Sequence, residues 1–354
     1  MEDYIINQNS LRCLRTFYKY DKNENKLKTL LAKPYLDFIE RFKDKITNIP
    51  TIDDIVDFYL QNKEKIDFSD QYAVYDFLSS IKELEPEDPN FIDIFKTCTD
   101  LNKKISQENV TRIKALQREY FIRFKHSRNE EWSDNELFDY KLKLWVNTKI
   151  ENVQELAIEL AKFLDLQDKE KDECGTSFKI SANLRRNDTV TIYTNYKLAE
   201  GVINFLTDLR EKKPHLFTTE SKPNPFVMKI NDFISYADIG HNKSFPMEIS
   251  NIYRYVEHHK SANFEDMCEK QRKIEVKSII LEHMIYQLQN SKDDDALINP
   301  KNMASCRTPD GYSNRKITEE DRELYIKKLQ EMKNNVDKQS ESSQTTNEEE
   351  NELE

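Results

Sequence analysis

The spacing of apolar residues changes along the chain, from a helical period near the start to strict alternation in the middle. In residues 1–118, apolar side chains recur three or four positions apart, which is typical of amphipathic helices. Thr51 is a good N-cap for the segment IDDIVDFYL, whose acidic first turn interacts favourably with the helix dipole. The same pattern predicts a long helix from about Asn90 to Glu119.

After this helical region, apolar and polar residues alternate over short stretches, which is typical of strands with one buried face. The clearest alternation is in residues 119–125 and 138–146, and shorter strands are predicted at 177–181 and 190–194. A helical period at residues 151–164 separates the second strand from the third. The middle of the chain therefore predicts a sheet in which one helix connects two strands.

These patterns predict an α+β protein, with a helical N-terminal half, a mixed β-sheet with flanking helices, and a helical C-terminal end. We divide the chain into a helical N-terminal region (1–118), an α+β domain (119–335) and an acidic tail (336–354). The tail has seven acidic residues, one lysine and almost no apolar residues, so we expect it to be disordered.

Composition excludes several classes of function. The net charge of −11 argues against general nucleic-acid binding, and with only 4 glycines the chain has no phosphate-cradling glycine-rich loop. Its 5 cysteines are scattered without a CxxC pair, so neither a zinc ribbon nor a redox dithiol is indicated, and a reduced, cytoplasmic setting is expected. No other motif indicates a ligand set, so we expect no metal and no cofactor. The N-terminus lacks the basic and apolar regions of a classical signal peptide, and no apolar run approaches 18 residues, so we expect no membrane partner. Secretion by a signal-independent route stays open.

Basic side chains gather on or beside the predicted strands of this acidic protein: Lys141, Lys143, Lys179, Arg185 and Arg186. Because every second strand residue shares a face, Lys141, Lys143 and Trp145 project together, opposite the apolar row. If the apolar row packs against helices, this basic face is open to solvent or to a ligand. Arg186 can donate two N–H groups to a phosphate, and Asp188 can orient it. The cluster predicts an anion site, although a chain with 54 Lys and Arg also forms such clusters by chance.

Several of these residues also carry a resemblance to a known family. The segments are KLWVN (143–147), FK (178–179), RNDTVTIYT (186–194), LFTTESKPNPF (216–226) and, more weakly, SFPMEISNIYR (244–254). In this order they resemble the HopA-type family of plant-pathogen type III effectors, which has related domains in some lanthipeptide biosynthesis systems. That family is related in fold to bacterial phosphothreonine lyases. The resemblance leaves the N-terminal helices and the acidic tail outside.

The resemblance implies a phosphate-recognising protein that modifies a peptide or protein. Phosphothreonine lyases use a lysine to remove the α-proton, a histidine to protonate the leaving phosphate, and basic residues to hold it. Lys179 matches the base, and Lys143, Arg186 and, more loosely, Arg254 match the phosphate-binding residues, with Lys141 in support. A lysine can act as a base only where burial or nearby positive charge lowers its pKa.

Trp145 stands at the position matched to the lyase histidine, and a tryptophan cannot donate a proton to a leaving group. His126, His215 and His241 are each better explained as packing or surface residues. Two functions therefore stay open: a carbon–oxygen lyase acting on phosphoserine or phosphothreonine, and a catalytically silent effector or peptide-binding partner module. Both imply a peptide or protein partner. If the basic residues are scattered over the surface, a helical scaffold without a ligand remains.

Overall fold

The computed structural model of this protein describes residues 41–42, 44–45, 51–79, 92–127, 142–171, 175–182, 189–219, 225–238, 245–290, 323, 326–327 and 329–339. Its helices are α1 (Ile52–Asn62), α2 (Gln71–Leu78), α3 (Ile94–Gln107), α4 (Val153–Lys171), α5 (Tyr196–Lys212), α6 (Phe245–His259) and α7 (Glu269–Asn290). Residues 329–339 are also helical.

The described strands form one sheet. They are β1 (Ile113–Gln117), β2 (Phe121–His126), β3 (Leu142–Val146), β4 (Ser177–Ser181), β5 (Val190–Thr194), β6 (Met228–Lys229) and β7 (Ile234–Asp238). Their order across the sheet is β1-β2-β4-β5-β3-β7-β6.

The structure confirms the predicted α+β class, and it makes the sheet antiparallel in each described pairing rather than mixed. Helix α4 connects β3 to β4, and these two strands run in the same direction. They do not pair, because β5 lies between them and runs antiparallel to both. Its insertion removes the parallel pairing that a strand–helix–strand segment would otherwise form.

The first hydrophobic core lies between one sheet face and helices α3, α4 and α5. Even-numbered strand residues such as Ile122, Leu144 and Phe178 are buried there, in line with the alternation of the sequence. The rings of Phe124 and Phe178 stack across β2 and β4 with their centroids 4.3 Å apart. This core fixes which side chains of the middle strands project to the opposite face.

The second hydrophobic core is helical. Helices α1, α2, α6 and α7 build it together with Leu329 and Val336. Aromatic rings fill its centre, and the Tyr253 hydroxyl donates a hydrogen bond to the carbonyl of Ile55 across α6 and α1, at 3.1 Å. Among the described strand residues, Trp145 alone belongs to this core. Trp145 therefore connects the sheet to the helical layer.

The N-terminus of α1 is built as the sequence predicts. The Thr51 hydroxyl accepts a hydrogen bond from the Asp54 amide at 3.3 Å, and the Asp54 carboxylate accepts one from the Thr51 amide at 2.6 Å. This reciprocal pair satisfies amide groups that the first turn of a helix leaves without intrahelical partners.

The predicted long helix from Asn90 to Glu119 is wrong in its last third. Helix α3 ends at Gln107, and the chain then turns through Asn109, whose φ of 58° lies in the left-handed region. The Asp165 carboxylate of α4 next accepts hydrogen bonds from the amides of Thr111 and Arg112, the two residues that immediately precede strand β1. The short strand β1 was missed because its apolar residues continue the spacing of the preceding helix.

Candidate functional site

The sheet face turned away from the first core carries a cluster of cations, which we call the polar face. Its cations are Arg123 and Lys125 on β2, Lys143 on β3 and Lys179 on β4. All four have odd numbers, whereas the strand residues of the first core beside them have even numbers. The alternation of the strands therefore gathers positive charge on one side of the sheet.

Strand register sets the first row of the polar face. Arg123 is opposite Lys179, Lys179 is opposite Thr191, and Thr191 is opposite Trp145. Neighbouring strands are about 4.8 Å apart, so the Lys179 and Trp145 backbones are separated by roughly 10 Å. Lys179 also lies over the ring of Phe121, with its Nζ 5.0 Å from the centroid.

The second row brings two cations to one aromatic ring. Tyr193 is opposite Ser177 on β4 and Lys143 on β3. The guanidinium carbon of Arg123 lies 4.0 Å from the Tyr193 ring centroid, and Lys143 Nζ lies 5.3 Å from it. Arg123 also donates a hydrogen bond from Nη2 to Ser177 Oγ at 2.7 Å. Each of the two cations therefore makes a cation–π contact with the Tyr193 ring.

Burial divides the four cations into two pairs. Arg123 and Lys125 are 4% and 2% exposed, whereas Lys143 and Lys179 are partly exposed. The chain itself covers the β2 end of the polar face, and of the residues predicted to project from an open basic face, Lys143 is partly exposed and Trp145 is buried. Burying two cations is costly, so this arrangement needs compensating contacts.

Trp145 is a packing residue. It is 6% exposed and belongs to the second core, although Lys143 Nζ lies 6.0 Å from its ring. A large apolar side chain is required here because the helical layer packs against the sheet at this point. This explains physically why the position matched to the lyase histidine holds a residue without a transferable proton.

The structure brings together part of the predicted site. Lys143 and Lys179 share the polar face, with β5 between their strands. Arg254 lies on α6, which packs chiefly against α2 and α7, and its Nε is buried. The remaining predicted residues, Lys141, Arg186 and Asp188, as well as Arg185, lie outside the described residues.

The histidines considered as proton donors lie elsewhere or outside the described residues. His126 is 1% exposed on the first-core side of β2, where its Nδ1 lies 3.7 Å from Asp168 Oδ2. His215 is beside Glu155, at 3.3 Å between Nε2 and Oε2, in the layer that includes α4. His241 is not among the described residues. Neither His126 nor His215 is placed to protonate a group bound on the polar face.

Sequence reasoning missed Arg123 and Lys125 as members of the site. The alternation of residues 119–125 already placed them opposite the apolar row of that strand. What the sequence lacked was the pairing of β2 with β4, which joins segments far apart along the chain. A prediction of the strand order would have found them.

The described residues offer no group of three or more His, Cys, Asp or Glu side chains that could hold a metal ion. Within the same residues, no helix combines the length and apolar character needed to cross a membrane.

Comparisons with known proteins give two structural likenesses. No protein-family model matches the chain, and no curated protein matches it. An effector protein of Pseudomonas syringae pathovar syringae is 11% identical with a TM-score of 0.41, over 72% of this chain and 95% of that one. An effector protein of pathovar tomato is 11% identical with a TM-score of 0.42, over 65% and 92%. Both are similarities of backbone course at very low sequence identity.

Proposed function

We propose that this protein binds a phosphate group of a peptide or protein partner on its polar face. The observation that supports this most directly is the meeting of Arg123 and Lys143 over Tyr193, with Lys179 in the adjacent row. Lys143 and Lys179 are the partly exposed cations of this group, and each can donate a charge-assisted hydrogen bond to a phosphate dianion, while the buried Arg123 adds positive potential to the face.

Binding is favoured over elimination by the environment of Trp145. Removing phosphate from phosphothreonine breaks a carbon–oxygen bond, and the departing phosphate needs a proton or strong charge stabilisation. Trp145 supplies no proton and is packed into the second core. We therefore propose a catalytically silent module, for which a host protein or a substrate peptide are both suitable partners.

Calorimetric titration with a tripeptide that has a central phosphothreonine tests this proposal. We expect binding of the phosphorylated form but not of its unphosphorylated counterpart. Lys143→Gln should weaken the affinity by about ten-fold, the usual size of one charge-assisted contact. The matched control is Lys103→Gln, because Lys103 is exposed on α3, which packs against the opposite sheet face. Equal affinity for both peptides, or equal losses in both variants, would contradict phosphate recognition.

The second candidate is the phosphoserine or phosphothreonine lyase, and the position of Lys179 favours it. This lysine is partly exposed on the same sheet face as Lys143, so a substrate phosphate held by Lys143 would lie on the same side of the sheet as the Lys179 amine. In that reaction the Lys179 amine takes the α-proton, the electron pair forms the carbon–carbon double bond, and phosphate leaves with the carbon–oxygen bonding pair.

Mass spectrometry of the same phosphopeptide decides between the two candidates. A lyase releases phosphate and leaves a dehydro residue, and Lys179→Ala should abolish this turnover while peptide affinity remains. A binding module leaves the peptide mass unchanged, and Lys179→Ala then changes affinity or nothing. Intact phosphopeptide after prolonged incubation, together with measurable binding, would exclude the lyase.

A further inference from the structure

The chain contains its own strongly anionic segment as well as a cluster of cations. Residues 340–354 contain six glutamates and no lysine, arginine or histidine. They lie outside the described residues and follow directly on the helical residues 329–339. A segment of this charge is complementary to the polar face and has the same sign as a phosphorylated partner.

The place where this segment leaves the described structure is fixed by the second core. Leu329 and Val336 are 1% and 7% exposed there, in the same core as Trp145 of the sheet. Asp337 accepts a hydrogen bond from the Ser278 hydroxyl of α7 at 2.8 Å, two residues before the described residues end at 339. The acidic segment therefore starts from the layer that packs on the polar side of the sheet.

The segment is longer than the sheet is wide, which is enough to reach the partly exposed Lys143 and Lys179. At roughly 3.4 Å for each residue, residues 340–354 extend up to about 50 Å. Seven strands spaced about 4.8 Å apart cover only roughly 30 Å. Because the segment is tethered, its effective concentration at the polar face is on the order of millimolar.

We infer that the acidic segment 340–354 binds to the polar face through the partly exposed Lys143 and Lys179 and competes there with an anionic ligand. This inference rests on the proposed phosphate site and adds its regulation. A phosphorylated partner must displace the segment, so the segment lowers the apparent affinity of the protein for that partner. High salt screens both interactions and weakens the competition.

Cross-linking of the full-length chain without any ligand tests the contact itself. A carbodiimide forms an amide between a lysine amine and a carboxylate that touch, and mass spectrometry identifies the pair. We expect cross-links from Lys143 or Lys179 to Glu348–Glu350, which decline as salt is raised from about 50 mM to about 0.5 M. Absence of these cross-links, or equally frequent ones from Lys103, would overturn the inference.

Titration with the phosphothreonine tripeptide tests the competition. The full-length variant E348Q/E349Q/E350Q should bind the tripeptide roughly three-fold to ten-fold more tightly at low salt. The matched control E151Q/D208N/E211Q removes three exposed charges from the layer on the opposite sheet face and should leave the affinity unchanged. Equal affinity in the tail variant and the wild type overturns the competition.

The two readouts separate this inference from the proposed function. Cross-links to Lys143 or Lys179, in a chain that never binds the tripeptide even with the neutralised segment, would support the contact but refute phosphate recognition. Phosphate binding without cross-links would support the proposed function and refute the inference.

Discussion

Gly201 lies in the middle of α5 on its exposed side. A Cβ atom at this position would meet no atom within 4 Å, so alanine adds no clash there. Alanine also restricts the unfolded chain more than glycine does. We expect Gly201→Ala to raise the free energy of unfolding in urea by about 0.5–1 kcal/mol.

Gly175 provides the matched comparison for that substitution. A Cβ atom there would lie 3.0 Å from Leu198 Cδ1 and 3.2 Å from Asn195 Nδ2. Asn195 is the N-cap of α5, and its side-chain oxygen accepts the Leu198 amide hydrogen at 2.9 Å. Gly175→Ala should therefore gain less stability than Gly201→Ala or lose stability. An equal gain at both sites would show that space at Gly175 is not limiting.

His283 makes the stability of the helical layer depend on pH. Burial between α6 and α7, and secondarily the nearby His259, lowers the pKa of His283 from 6.5 to about 3, and its ring lies 4.3 Å from that of Tyr255. Below pH 6.5, His283 binds a proton in the unfolded chain but stays neutral in the folded protein. Stability should fall with acidification from pH 6.5 towards 3, by up to about 1.4 kcal/mol per pH unit.

Urea unfolding of His283→Phe and of the wild type between pH 7 and 5 measures the contribution of His283 to the pH dependence of stability. The variant keeps an aromatic ring but cannot titrate, so the stability difference between the two proteins should shift in its favour as the pH falls. Lowered carboxylate pKa values, such as that of Asp232 beside Arg210, act at lower pH and are common to both proteins. A difference that stays constant over this range would exclude His283 as the source.

Strand β1 is the edge of the sheet, and Asn102 of α3 covers its middle. The Asn102 side chain donates to the Ala115 carbonyl at 2.8 Å and accepts from the Ala115 amide at 3.0 Å, in the manner of a neighbouring strand. Asn102→Leu removes the partner of the Ala115 amide and leaves the Ala115 carbonyl with the weaker Cys98 thiol donor at 3.3 Å, in a residue only 3% exposed. We expect a loss of about 1–3 kcal/mol for the amide and a smaller loss for the carbonyl, measured by urea unfolding.

The same substitution should also release the edge for pairing with another chain, because unpaired strand edges template association. Size-exclusion chromatography of Asn102→Leu should then show oligomers that the wild type lacks. Asn152→Leu is the control, since Asn152 donates a single exposed hydrogen bond to the His215 carbonyl. A monomeric Asn102→Leu protein with wild-type stability would contradict a protective role for Asn102.

Strands β2 to β5 were predictable because each has its own alternating pattern, with a buried row such as Ile122 and Phe124. Strand β1 was not, because Ile113 and Ala115 continue the apolar spacing of the helix before them. What ends that helix is the left-handed Asn109 and the carboxylate of Asp165, which comes from a distant segment. Local periodicity cannot report a partner supplied by another element.

The candidate site could likewise be predicted only where it depends on local sequence, and not where it depends on contacts between distant segments. Lys143 and Lys179 could be placed on strand faces from their own neighbours in the sequence. Arg123 and its contact with Tyr193 depend on the order β2-β4-β5-β3, which is set by long-range pairing. The burial of Trp145 depends on a helical layer built mainly from segments before and after the sheet. Its packing role could not be read from the strand alone.

Trp145 provides a test of how the two layers and the proposed chemistry depend on one another. If its role is packing, Trp145→Ala should cost about 3–5 kcal/mol by leaving a cavity between the sheet and the helical layer. Trp145→His should also lower the unfolding temperature and still show no phosphate elimination by mass spectrometry, because an imidazole there would face the core rather than a ligand. Trp145→Phe keeps most of the apolar volume and should retain phosphopeptide affinity with a smaller loss of stability. A Trp145→His protein that is as stable as the wild type and releases phosphate would instead place this position in the reaction, and the silent-module proposal would fall.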